Sequence, residues 1–363
     1  MNLRDVYVTF RDCENNGTIT GSYWYVGGFV GYMNNNINTN VTISNIINNG
    51  IVGNNWYVGG FVGEMMSNTS MNVIISNSIN YGSIARNRYL GGFFGNIQGN
   101  INFSIIIVSS KNNGNVTGDN NVGGFVGYIS TNSNITVIIS NSISNGNVTG
   151  NDFIGGLVGH IWGDKNMTMI ISNYISHGYI TGNNRVSGFV GTIWSNENTS
   201  ITISSSFNND VVIANSYVGG FTGEIDTNSN ISMTISNSVN NGNVNGSLYI
   251  GGFVGCIYSN TKMTMTISNS TNNGYITEDK YVGGLVGFIH SAQSNSILLF
   301  IINSDNRGSV SSKSSMACGM ICVDPEGDQD VKINIKKAST RGASVQEQMH
   351  MGSQPSSQKQ EMW

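Results

Sequence analysis

The chain is short of charge and of proline, and both shortages narrow what it can be. Charged residues make up 10% of the 363 residues, well under the roughly 25% of an ordinary soluble domain. The net charge is only −4. There is no basic stripe of the kind a nucleic-acid binder carries, and nothing to attract an anionic membrane surface. No run reaches the roughly 18 apolar residues of a membrane span, so membrane insertion is not expected. Four cysteines, Cys13, Cys256, Cys318 and Cys322, are too sparse for a disulfide scaffold. Cys318 and Cys322 do not form a C-x-x-C redox pair, which leaves the redox compartment open. The histidines His160, His177, His290 and His350 are scattered, with no H-E-x-x-H or other metal spacing. No catalytic residue, cofactor or metal ligand is therefore expected. The opening Met1-Asn2-Leu3-Arg4-Asp5 has no apolar signal core. Either the protein is not secreted by that route, or, as the start in mid-repeat suggests, the chain is a fragment whose signal lies upstream.

What is abundant is glycine (47 residues), together with asparagine, serine and threonine. These residues are arranged in a strict internal repeat. The pair Gly27-Gly28 recurs at Gly59-Gly60, Gly91-Gly92, Gly123-Gly124, Gly155-Gly156, Ser187-Gly188, Gly219-Gly220, Gly251-Gly252 and Gly283-Gly284, always at the same step of 32 in the numbering. A degenerate tenth copy falls at Cys318-Gly319. Loops tolerate insertions, so an unvarying period implies that each copy is registered against its neighbour along its whole length. Stacked β coils impose that condition, because a one-residue slip turns a strand's side chains to the wrong face.

Each module contains strand signals and no helical pattern. Met263-Thr264-Met265-Thr266-Ile267-Ser268 alternates with period two, and in other copies Met71, Val73 and Ile75 or Ile135, Val137 and Ile139 form its inward columns. Asn-Gly pairs such as Asn49-Gly50 and Asn241-Gly242 are read as tight turns needing positive φ. With a strand through Gly-Gly and a short third one at Asn147-Val148-Thr149, the module has three β segments. The fold class expected is all-β, a parallel β-solenoid (β-helix) of about nine 32-residue coils. At roughly 4.8 Å per coil it spans on the order of 43 Å. Residues 1–310 form the array, 311–338 a degenerate terminal repeat or cap, and 339–363 a disordered tail. Asn45, Asn77, Asn141, Asn173, Asn237 and Asn269 share one column and are expected to form an amide ladder.

The segment Asn147 to Gly159, with its core Gly156-Leu157-Val158-Gly159 repeated at Gly284-Leu285-Val286-Gly287, resembles the GLUG motif. Most copies carry Phe in place of the Leu, and the period is longer than that family's usual repeat. The resemblance covers roughly residues 13 to 310. It implies a repeat region of a large surface or secreted protein, often an adhesin, and sometimes the non-catalytic part of a bacterial peptidase. It brings no catalytic residues, and extracellular or cell-surface localisation is expected from it alone.

Three surface features compete as functional candidates. Trp24 and Trp56, and Trp162 and Trp194, lie one period apart and should stack on adjacent coils. They are candidates for stacking on glycan rings, against the simpler reading that they stack on each other. The middle column Thr42, Ile74, Ile106, Ile138, Ile170, Thr202, Thr234, Thr266 is β-branched and half threonine, which admits ice binding beside ordinary strand propensity. Third, alternation opposite the Phe column leaves Val30, Val62, Phe94, Val126, Val158, Val190, Val254 and Val286 on the other face. Such an apolar row is either covered by the same coil or an association stripe. Open coil ends add unpaired strand edges. The function expected is a non-enzymatic structural or adhesive repeat protein. Its partners would be further copies in a homo-oligomer or fibre, or a glycan or host-surface ligand.

Overall fold

A computed structural model of the chain describes residues 5–340, apart from 22–23, 36–37, 54–55, 229, 261, 279, 292–296, 313–316 and 324–330. Every pairing among its strands is parallel, and no described residue is helical. The chain is a parallel β-solenoid of about ten turns. Residue i pairs with residue i+32 through most of the array, as Ile135 with Met167, Val148 with Ile180 and Ile154 with Val186, with the offset 33 at the first strands (Val6 with Thr39) and 34 at the last coil (Met263 with Ile297). Most coils hold five β segments rather than the three expected from the sequence. One coil runs Asn120–Gly123, Val126–Thr131, Ile135–Ser140, Ile143–Ser144 and Val148–Thr149. The expected tenth copy is present. Gly284 N donates to Cys318 O and Leu285 N to Met320 O, which docks the Cys318-Gly319 corner onto the array. The tail expected at 339–363 lies outside the described residues beyond the short strand Ser339–Thr340.

Two apolar cores run side by side along the axis. The larger holds the inward columns of the six-residue strands, such as Val73, Ile105, Val137 and Met169, with the Phe61–Phe93–Phe125 column. The smaller is built from Val116, Val148, Ile180 and Val212 against Val122, Ile154, Val186 and Val218. The Val column taken above as an association stripe belongs to the larger core. Val62, Phe94, Val126, Val158, Val190, Val254 and Val286 are fully buried within one chain, and Val30, in the first coil, is partly so. Simple alternation fails here because the backbone is irregular at the corner. Phe125 N and Val126 N both donate to Leu157 O, at 2.9 and 3.1 Å, and Phe61 N and Val62 N likewise share Phe93 O. Two successive amides on one acceptor make a bulge, which points consecutive side chains to the same side.

The glycines and asparagines have distinct positions. A Cβ at Gly124 would overlap Gly156 O and lie 2.6 Å from Ser144 Oγ, so the second glycine of each pair is required by the close approach of adjacent coils. A Cβ at the first glycine, Gly123, would overlap Val126 O as well, and only Ser187 and Cys318 carry a side chain in that column. The reading of Asn-Gly as a positive-φ turn is corrected. The left-handed residues are instead Asn45, Asn77, Ser109, Asn141, Asn173, Ser205, Asn237, Asn269 and Asn303, with φ of 48–54°. Asparagine tolerates that region best among residues with a Cβ, which explains the column. Exposed amide bonds do join some of its members, as from Asn173 to Asn141 at 3.1 Å.

The buried ladder is a different column, missed in the sequence. Asn15 donates to Asn48, Asn48 to Asn80 and Asn80 to Asn112, at 2.7, 2.7 and 2.8 Å. It resumes with Asn208 to Asn240, Asn272 and Asn306 at 2.6, 2.7 and 2.8 Å. Each of Asn48, Asn80, Asn240 and Asn272 also donates to the glycine carbonyl two residues on. The signal was an asparagine two residues before the turn glycine, as at Asn48, Asn80, Asn112, Asn240, Asn272 and Asn306. Stacking also accounts for the scarcity of charge. In an in-register coil each side chain's neighbour is its own column, so like charges would face one another. A carboxamide both donates and accepts, and is complementary to itself.

Candidate functional site

The side chains best placed to meet a partner line the outer corner before each six-residue strand. The corner residue is left-handed: Tyr89, Asn121, Phe153, Arg185, Tyr217, Tyr249 and Tyr281 have φ of 55–62°. Tyr25, Tyr57 and Tyr89 stack with centroids 5.2 and 4.8 Å apart, and Tyr217, Tyr249 and Tyr281 at 5.1 and 5.3 Å. Beside them runs a buried, mostly polar row that includes Glu64, Asn96, His160, Thr192, Glu224 and Cys256.

Where the tyrosines give way to Asn121, Phe153 and Arg185, a polar centre replaces them. Arg185 Nε donates to Glu224 Oε2 at 2.6 Å, and Trp194 Nε1 donates to the same oxygen at 3.1 Å. The Arg185 guanidinium lies 5.1 Å from the Phe153 and Tyr217 rings and 5.7 Å from Trp194. Burial pushes the Glu224 carboxyl up, and the neighbouring Arg185 draws it back down. His160 Nδ1 lies 3.0 Å from Asn121 Oδ1, and burial, with Arg185 nearby, pushes its pKa down to about 3. A neutral imidazole, an ion pair and three aromatic rings pack together in this polar centre. Glu64 and Glu224 stand in one column five coils apart, too far to act as a carboxylate pair. No group of three or more His, Cys, Asp or Glu able to hold a metal occurs among the described residues.

The tryptophan candidates divide into two cases. Trp24 and Trp56 stack on each other, 5.6 Å between centroids and 19° between planes, with the Arg88 guanidinium 5.8 Å from Trp56. They remain 55% and 39% exposed. Trp162 and Trp194 are register partners, but Trp194 is turned onto Phe153, His160 and Arg185. The mixed Thr and Ile column lies on the outer side of its strand, as alternation requires: Thr202, Thr234 and Thr266 pair in register between the inward Ile201, Met233 and Met265 and their Ile neighbours. A shallow groove on that face is lined by Thr168, Ser200, Ser232, Thr264 and the asparagines Asn166, Asn198 and Asn230.

Fold and surface together define a parallel β-solenoid whose asparagine rows bond to themselves. No family model, curated protein or solved structure matches the chain.

Proposed function

We propose that this chain is a non-enzymatic structural and adhesive repeat segment of a surface or secreted fibre, acting through the side of the solenoid. The observation that carries the reading is the exposed amide rows. Asn145 bonds to Asn113, Asn241 to Asn209 and Asn273 to Asn241, at 2.7–2.8 Å. Asn100, Asn228 and Asn260 repeat the pattern on another column. These rows stiffen the outside of the rod and carry no net charge, as a spacer exposed to variable ionic strength requires. The Cys318–Cys322 disulfide supports an oxidising, extracellular setting. The Gly156-Leu157-Val158-Gly159 resemblance points the same way. Exposed Ile333 and Ile335 on the strand Val331–Lys336 favour end-to-end association over lateral association. A glycan-binding role is the second reading, favoured by the exposure of Trp24 and Trp56. Bead-immobilised protein tested on cell surfaces and on a glycan array separates the two. Adhesion that survives Trp24→Ala with Trp56→Ala supports the spacer-adhesin reading, and loss of glycan binding in that variant supports the second. Turnover of a substrate by the purified chain would overturn both.

A further inference from the structure

The buried asparagine ladder is interrupted for two rungs, at Ser144 and Ser176, between Asn112 and Asn208. Three other substitutions meet at that gap. Tyr174 stands in the column otherwise held by Ser142 and Ser206, and Leu157 replaces the Phe of the adjoining coils. The Tyr174 ring fills the vacated volume between Phe125 and Phe189, at 6.1 and 4.9 Å, and its hydroxyl donates to Gly156 O at 3.0 Å. The third is Asp210, which takes the place of the glycines Gly114, Gly146, Gly178 and Gly242. In that column a Cβ would overlap the carbonyl oxygen of the preceding turn, Gly82 O at Gly114 and Gly50 O at Gly82, and would also crowd the preceding rung, 2.8 Å from Asn80 Nδ2 and 2.6 Å from Asn48 Nδ2. At Asp210 the backbone differs, with Val211 N donating to Gly178 O and Tyr179 pairing with Val211, and Ser176 brings no carboxamide, which leaves room for the carboxyl where the missing rung would be.

That carboxyl is fully buried, and neither of its oxygens has a hydrogen-bond partner. Ser144 Oγ and Ser176 Oγ are buried and unpartnered as well. The Ser176 hydroxyl faces the carboxyl without reaching hydrogen-bond geometry. The titratable neighbour is the Tyr174 phenol, which burial keeps protonated, and Asn208 accepts from the Asp210 amide at 3.3 Å. His177, one residue outward from Ser176, is exposed and lies 3.5 Å from Asn209. No cation is paired with the buried charge among the described residues.

We propose that the ladder gap at Ser144, Ser176 and Asp210 is a proton-operated seam, closed when Asp210 is protonated and opened locally when it ionises. An unpaired carboxylate in an apolar interior is costly, so in the closed coil the group holds its proton up to about pH 7. Burial pushes the Asp210 pKa up to about 7, against 3.8 for the free side chain. The closed form therefore holds a proton that the opened form releases. Its advantage is complete at low pH and is lost as the pH rises towards the closed-state value. From about pH 5 to about pH 8.5 the opening equilibrium rises about a hundredfold. The seam divides the rod into two ladder blocks, Asn15 to Asn112 and Asn208 to Asn306, which stay bonded on either side.

Hydrogen–deuterium exchange of the intact chain, corrected for intrinsic rates, tests this. Protection around residues 143–144, 175–176 and 207–212 is expected to fall about a hundredfold between those pH values. Protection around 79–82 and 271–274 is expected to change far less. Asp210→Asn is expected to abolish the difference while leaving the fold intact. Asp210→Gly, which restores the residue of the neighbouring coils, is a second variant should the amide fit poorly. Uniform pH dependence along the rod, or an undiminished seam response in both variants, overturns the proposal.

Discussion

Asn240 and Asn241 are neighbours in sequence and identical in type, yet their removal should have very different effects. Asn240 is fully buried and makes three side-chain bonds: it accepts from Asn208 at 2.6 Å, and donates to Gly242 O at 2.9 Å and to Asn272 at 2.7 Å. Asn240→Ala leaves a donor on Asn208 and acceptors on Asn272 and Gly242 stranded in a dry interior. A buried group without its partner costs about 1–3 kcal/mol, so the loss should reach about 3–6 kcal/mol. Asn241 is exposed and bonds only along the surface row, to Asn209 and from Asn273, each at 2.8 Å. Water replaces those bonds, and Asn241→Ala should cost under about 1 kcal/mol. Urea denaturation followed by circular dichroism measures both. Asn240→Ser adds a check, because the array itself accepts serine at Ser144 and Ser176, and it should fall between the two. Equal losses for Asn240→Ala and Asn241→Ala would refute the claim that the inner row is a continuous hydrogen-bonded ladder.

Other outcomes follow from close packing. Gly124→Ser should lower the melting temperature clearly, by an overpacking cost of about 1–3 kcal/mol, because a Cβ there overlaps Gly156 O. An unchanged melting temperature would show that the second glycine has no special geometry. Val126→Lys with Val158→Lys should unfold the chain, because both valines are core; soluble, folded protein with altered sedimentation would instead restore them as an association surface. Cys318→Ser with Cys322→Ser removes a four-residue closure worth about 2 kcal/mol and should loosen only the last turn, read as faster proteolysis near residue 318 with an unchanged main melting transition.

The sequence alone determined the period, the parallel stacking and the register, because an unbroken period admits only one kind of neighbour for each residue. It also identified the inward columns of the six-residue strands, where alternation is undisturbed, as in Ile135, Val137 and Ile139. Tertiary structure decided what alternation could not express. The shared carbonyl of Leu157 turns Val126 inward beside Phe125, so a row that reads as exposed is core. Left-handed corners at Asn141 and its equivalents, not the Asn-Gly pairs, bend the chain. Trp194 leaves its stacking partner for Arg185 of its own coil and Glu224 of the next. Whether an asparagine faces water or the interior depends on the corner that precedes it, and one sequence position separates Asn240 in the buried ladder from Asn241 on the surface. The hole that accepts Asp210 exists only because coils from three successive repeats meet there, and no single repeat contains it.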